Sequence, residues 1–336
     1  MSLRELVVLG SASQVPTRHR NHNGYLLRWD EHGFLFDPGE GTQRQLIHAG
    51  VAVSAVTAVF VTHFHGDHSL GLASIVQRLS LDRVVHPVEV FFPASGRKFY
   101  DNLIEASIYY RAATVVPRPL PDAGATTTTA TGITVEALPL DHGVPTLGYR
   151  LREPDQPRFL PERLEALGIR GPQVGELQRT GRLQLGDETV TVDQVSVVRP
   201  GATFAFVMDT RPCANAARLA DGADLLVCES TFLESEAETA HEYRHLTAAQ
   251  AARLARDAEA VSLLLTHFSQ RYRDVAPFLA EAAAIFPGAA VARDLGRYPF
   301  PRPPAPAPPA PARAANPAAL AATTGTGRQS DTGADP

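Results

Sequence analysis

Thr62-His63-Phe64-His65-Gly66-Asp67-His68 follows the apolar run at residues 56–61 and leads into a helical pattern at residues 67–79. Four groups able to ligate a metal fall within six residues. Side chains alternate along a strand, so His63 and His65 are expected on one side of its end, and Gly66 lets the chain turn to present Asp67 and His68. Imidazole and carboxylate together suit zinc or manganese. Two ions about 3.5 to 4 Å apart need more ligands than one strand end carries. Three later positions qualify, each closing an apolar strand-like run: His142 after residues 135–140, Asp209 after 204–208 and His267 after 261–266.

Short apolar runs bounded by Gly, Pro or Asp alternate with helical patterns through residue 292, which predicts an α/β chain with mixed sheets. Residues 152–187 break this rhythm. Apolar residues are sparse there, and seven arginines lie between Arg150 and Arg182. This stretch is expected to form a protruding arm, because long irregular connections in compact domains usually serve a function. Residues 301–336 hold nine prolines, and Leu320 is their only large aliphatic residue. The folding unit is therefore expected to end near residue 300 and to be followed by a disordered tail whose removal leaves activity intact.

A net charge of −5 over 336 residues excludes a protein that binds nucleic acid through bulk basicity. Every cation except Lys98 is an arginine, however, and a local patch of forked guanidinium groups is enough to engage phosphates. Cys213 and Cys228 are too few for a disulfide framework and lack zinc-ribbon spacing, so a reducing compartment fits. The apolar run at residues 6–9 is far shorter than a membrane span. A soluble cytoplasmic protein with no membrane partner is expected.

The order His63-x-His65-x-Asp67-His68, His142, Asp209, His267 resembles the metallo-β-lactamase superfamily over residues 1–300. That resemblance implies a four-layer αβ/βα sandwich. His63, His65 and His142 would hold one metal, Asp67, His68 and His267 the other, and Asp209 would bridge them. Antibiotic hydrolysis is disfavoured, because the hydrolytic β-lactamases carry a cysteine where this chain has the bridging aspartate.

Within the superfamily, five segments are similar to ribonuclease Z. Phe36-Asp37-Pro38-Gly39-Glu40-Gly41-Thr42-Gln43 resembles its first motif, with Pro38 where many members have cysteine, and Pro16-Thr17-Arg18-His19-Arg20-Asn21 resembles its loop beside the active site. His142-Gly143-Val144-Pro145-Thr146-Leu147-Gly148-Tyr149-Arg150 resembles its histidine motif, and Leu167-Gly168-Ile169-Arg170-Gly171-Pro172 its Gly-Pro arm. His245-Leu246-Thr247 is similar to a helix-opening motif in which serine usually stands at position 246.

The resemblance implies a metal-dependent endoribonuclease that removes the 3′ trailer of precursor tRNA, leaving a 3′-hydroxyl on the tRNA and a 5′-phosphate on the trailer. It further implies two zinc ions per subunit, with manganese as the other fit, a homodimer, and no DNA partner. Asp67 would take a proton from the attacking water, and His245 would protonate the leaving oxygen. Glu229 is expected to orient His245. Arg18, Arg20, Arg170, Gly171 and Pro172 are the expected substrate contacts. Two competing readings are a dinuclear hydrolase of a small phosphodiester, sulfate ester or thioester, and a non-catalytic RNA-binding member.

Overall fold

The computed structural model describes residues 3–300; the tail expected to be disordered lies outside them. Nine strands open the chain: β1 (Arg4–Gly10), β2 (Gly24–Trp29), β3 (His32–Phe36), β4 (Ala58–Phe60), β5 (Val88–Pro93), β6 (Val115–Leu120), β7 (Ala125–Thr128), β8 (Thr134–Pro139) and β9 (Leu147–Arg152). After them come β10 (Gln156–Phe159), β11 (Arg182–Leu185), β12 (Glu188–Thr191) and β13 (Ser196–Arg199). The last five are β14 (Thr203–Val207), β15 (Leu225–Glu229), β16 (Leu263–Thr266), β17 (Ala289–Val291) and β18 (Arg297–Pro299).

One seven-stranded sheet runs β18-β1-β2-β3-β4-β5-β6 and the other β17-β16-β15-β14-β9-β8-β7. Each is half antiparallel and half parallel: β3 to β6 are parallel in the first, and β14 to β17 in the second. Strand alternation explains the layering. Leu6 and Val8, Tyr25 and Leu27, Phe34 and Phe36, and Phe60 face the second sheet. Val7, Leu9, Leu26, Leu35 and Val59 point the other way.

The two inner faces meet through aromatic rings, with Phe36 4.8 Å from Phe206 and Phe60 5.2 Å from Tyr149 between centroids. Each fully buried phenylalanine contributes roughly 1.5–3 kcal/mol. Helix Gly71–Leu81 covers the outer face of the first sheet with Leu72, Ile75, Val76 and Leu79, spaced as one helical stripe requires. Helix Ala248–Asp257 lies against β15 and β16 through five buried alanines, whose small side chains permit close approach. This is the expected αβ/βα sandwich.

Residues 157–197 form a second compact unit. It begins and ends later than the composition shift at 152–187 indicated, because Arg152 belongs to β9 while Val190 and Val195 join Ile169, Leu177 and Leu183 in a small core of its own. Its Gly-Pro pair has a local cause. Gly171 has φ 54° and ψ −125°, a region open to glycine almost alone, and Pro172 follows as the first residue of helix Pro172–Thr180. Arg170, Arg179 and Arg182 are exposed on this unit.

Candidate metal centre

The strand feeding the histidine cluster is shorter than the apolar run: β4 stops at Phe60, and His63 and His65 sit on a loop beyond its pleat. What aims them is Asp37, at the end of β3. Its carboxylate accepts from the Thr62 N–H (2.7 Å), the Thr62 hydroxyl (2.8 Å) and His68 Nδ1 (2.8 Å). With its proton given to Asp37, Thr62 Oγ1 accepts from His63 Nδ1 at 3.0 Å, which leaves the ring's lone pair on Nε2, 2.9 Å from His65 Nδ1. Gly39 lets this turn approach the loop, since a Cβ there would lie 2.2 Å from the Asp67 carbonyl. Asp37 was not among the residues singled out for the site, although its motif was.

The second sheet repeats the device. Glu229, the last residue of β15, accepts from the Thr231 hydroxyl at 2.6 Å, and Thr231 in turn accepts from His267 Nδ1 at 2.8 Å. Glu229 also accepts from His245 Nδ1 at 2.9 Å, which is the expected contact. Leu246 turns into the core, and Thr247 caps the following helix by accepting from the Gln250 N–H. Carboxylate partners on the outer nitrogen fix the tautomer of a ligating imidazole.

Seven expected ligands converge. His63, His65, His142 and Asp209 form one group with ligand atoms within 4.8 Å of one another, and Asp67, His68 and His267 form a second. Asp209 lies between them, with Oδ2 3.3 Å from His68 Nε2, 3.6 Å from His63 Nε2 and 3.7 Å from His142 Nε2, and Oδ1 3.2 Å from His267 Nε2. Both Asp209 (φ 50°) and His267 (φ 63°) adopt the left-handed conformation as they leave their strands, at a cost on the order of 1–3 kcal/mol each.

The arrangement calls for positive charge. Asp37, Asp67, Asp209 and Glu229 are all buried together, and buried carboxylates are tolerated only when paired or coordinated. Burial works against ionised Asp67 and Asp209, yet the facing His68 and His267 hold both carboxyls well below their usual range. Burial keeps His63, His65 and His142 below the ordinary histidine value, so they are neutral donors. His142 Nε2, His267 Nε2 and Asp209 Oδ1 are buried without a hydrogen bond, all aimed at the cluster. This donor set fits divalent metal: His63, His65 and His142 are neutral as ligation requires, and an ion would supply the positive charge that His68 carries beside Asp67 and Asp209.

A cleft of about 930 Å³ opens over the cluster, lined by Asp67, His142, Asp209, His245 and His267. Burial opposes a charge on His245, but Glu229 and Asp209 outweigh it and push its pKa up to about 9. The arginines on the cleft wall are Arg244 and Arg271, neither anticipated. Arg20 instead donates to the Ser269 and Tyr272 carbonyls, at 3.3 and 2.6 Å, and Arg18 is exposed on the same loop. Arg170, Gly171 and Pro172 lie in the 157–197 unit. Charge alone cannot distinguish a wall arginine from a structural one, so nothing in the sequence marks Arg244 and Arg271 as lining this cleft.

The profile of the Metallo-beta-lactamase superfamily matches residues 17–256. The ribonuclease Z of Nocardia farcinica is 57% identical over 302 residues, spanning 90% of this chain and 99% of that protein. The ribonuclease Z of Streptomyces coelicolor is 54% identical over 304 residues, with the same coverage. The crystal structure of the short form of human tRNase Z superposes with a TM-score of 0.64 at 23% identity, covering 88% of this chain and 99% of that one. Alignment at this identity across 99% of those relatives, together with the superfamily profile, means that the chain belongs to the ribonuclease Z family of the metallo-beta-lactamase superfamily.

Proposed function

We propose that this chain is the cytoplasmic endonuclease that cuts precursor tRNA at the base of its 3′ trailer, leaving a 3′-hydroxyl on the tRNA and a 5′-phosphate on the trailer. The observation that carries this reading is the alignment with ribonuclease Z relatives across 99% of their length. His63, His65, His142 and Asp209 would hold one divalent ion, and Asp67, His68 and His267, with Asp209 shared, a second. Zinc fits best, because most of the donors are imidazoles. When bound, such ions acidify water and offset negative charge on a phosphate.

The chain's own groups do the rest. Asp67 presents an ionised carboxylate to the cleft and accepts the proton of the attacking water. His245 holds Nδ1 on Glu229, so its protonated Nε2 is left to donate to the departing 3′ oxygen. Glu229→Gln keeps the hydrogen bond but removes the charge that keeps His245 protonated; it should lower kcat roughly tenfold or more while KM stays near its starting value. Steady-state kinetics on one precursor separates the two.

Gly171, Pro172 and the exposed arginines of the 157–197 unit are assigned to gripping the tRNA backbone, a role that positions without reading sequence. Deleting residues 162–179 should raise KM for precursor tRNA by roughly tenfold or more, about 1.4 kcal/mol of binding, and spare bis-p-nitrophenyl phosphate. Equal loss on both substrates would remove the arm from recognition. A homodimer fits the exposed Phe99, Ile108 and Tyr110, apolar side chains suited to a contact between subunits; light scattering checks it.

The direct test incubates the metal-loaded chain with a 3′-extended precursor and maps the cut and its end groups, with Asp67→Ala as control. A single cut near the discriminator base is the expected result. No cut, together with metal-dependent hydrolysis of a small phosphodiester or thioester, would keep the superfamily and overturn the substrate.

A further inference from the structure

Arg244 ends helix Ala237–Tyr243 in the left-handed conformation (φ 59°, ψ 50°), where glycine is the usual residue. Both of its ends make contacts there. The Arg244 carbonyl accepts from His142 Nδ1 at 3.3 Å, while its guanidinium donates back to the His142 carbonyl at 2.7 Å. The same guanidinium reaches Asp141 Oδ1 at 3.3 Å, and Arg211 holds the other oxygen of Asp141 at 2.8 Å. The next residue in the chain is His245, fixed on Glu229, and its ring lies 5.2 Å from that of His142.

From this geometry we infer that Arg244 is a positioning residue: a reciprocal clamp that keeps His142 Nδ1 occupied and Nε2 aimed at the metal group while tying His142 to the segment that carries His245. This deepens the metal reading given above and rests on it. Arg271, the other cleft arginine, pairs instead with Glu236 and stacks over Phe232, and has no such link.

The test is a zinc competition titration against a chromophoric chelator, run on the full chain, with Arg244→Gly and Arg244→Lys. Glycine keeps the left-handed turn and the carbonyl and removes only the guanidinium; a melting curve verifies that it folds. Arg244→Gly should bind its weaker zinc roughly 10- to 100-fold less tightly, the range for losing an outer partner of a ligand, and should lose kcat on bis-p-nitrophenyl phosphate with KM little changed. Arg244→Lys, with one donor for the His142 carbonyl, should recover part of both. Native zinc affinity in Arg244→Gly overturns the clamp alone, and a rise confined to KM for precursor tRNA overturns it in favour of a phosphate contact. A native chain that binds no zinc overturns the metal reading and the clamp with it.

Discussion

Asp209→Ala should abolish activity and strip the chain of both ions, since Asp209 is the one carboxylate that faces His63, His68, His142 and His267 at once. Its loss leaves each group one anion short in a buried place, where charge compensation matters most. The fall in metal affinity should exceed the roughly 10–100-fold typical of an outer partner. Metal content after dialysis is the check, and near-stoichiometric retention of two ions would show that Asp209 bridges nothing. Relief of the left-handed strain at this position will not offset the loss, because alanine is no more at ease there than aspartate.

His245→Ala should give the opposite pattern: both ions kept, the fold kept, and kcat for precursor tRNA lowered by roughly 10² to 10⁴, the range for losing a general acid. His245 belongs to a third cluster with Asp209 and His267, so geometry alone also permits it to be a ligand. Metal analysis decides. Loss of metal with His245 would make it part of the coordination shell, whereas loss of rate alone assigns it to the leaving oxygen. A substrate with an activated leaving group, such as bis-p-nitrophenyl phosphate, needs little protonation and should be much less affected than RNA.

The seven residues proposed as ligands stand out in the sequence because ligand chemistry demands particular residue types, and because each of His142, Asp209 and His267 closes an apolar run that reads as a strand; His245 stands out only through its resemblance to the helix-opening motif. Asp37, Thr62 and Thr231 were harder to see. An aspartate in a glycine-rich turn and two threonines at strand ends have ordinary local explanations, and only the fold brings their hydrogen bonds to the histidines. Strand β6 is hidden in the sequence for a related reason: Pro117 and Pro119 argue against a strand, yet β6 is the edge of its sheet, where proline is tolerated. The elements within the arm expected at residues 152–187 were not legible because the five-residue core of the 157–197 unit is assembled across a loop, two short helices and a hairpin, with no periodicity over any one segment.

The residues proposed as ligands do not come from one half of the sandwich. His63, His65, Asp67 and His68 follow β4 of the first sheet, whereas His142, Asp209 and His267 follow β8, β14 and β16 of the second. Polar links cross the seam as well, among them the Leu147 N–H on the Thr62 carbonyl, the Tyr149 hydroxyl on the Val61 carbonyl, the paired hydroxyls of Tyr25 and Thr266, and the Arg4–Glu153 ion pair. Bound ions would therefore act as further rivets between the two layers, beside their apolar contact and these polar links. The melting temperature should climb with free metal concentration as mass action requires, by an amount equivalent to about 2.7 kcal/mol at a hundred times the dissociation constant, and a chelator should loosen the sandwich as well as silence it.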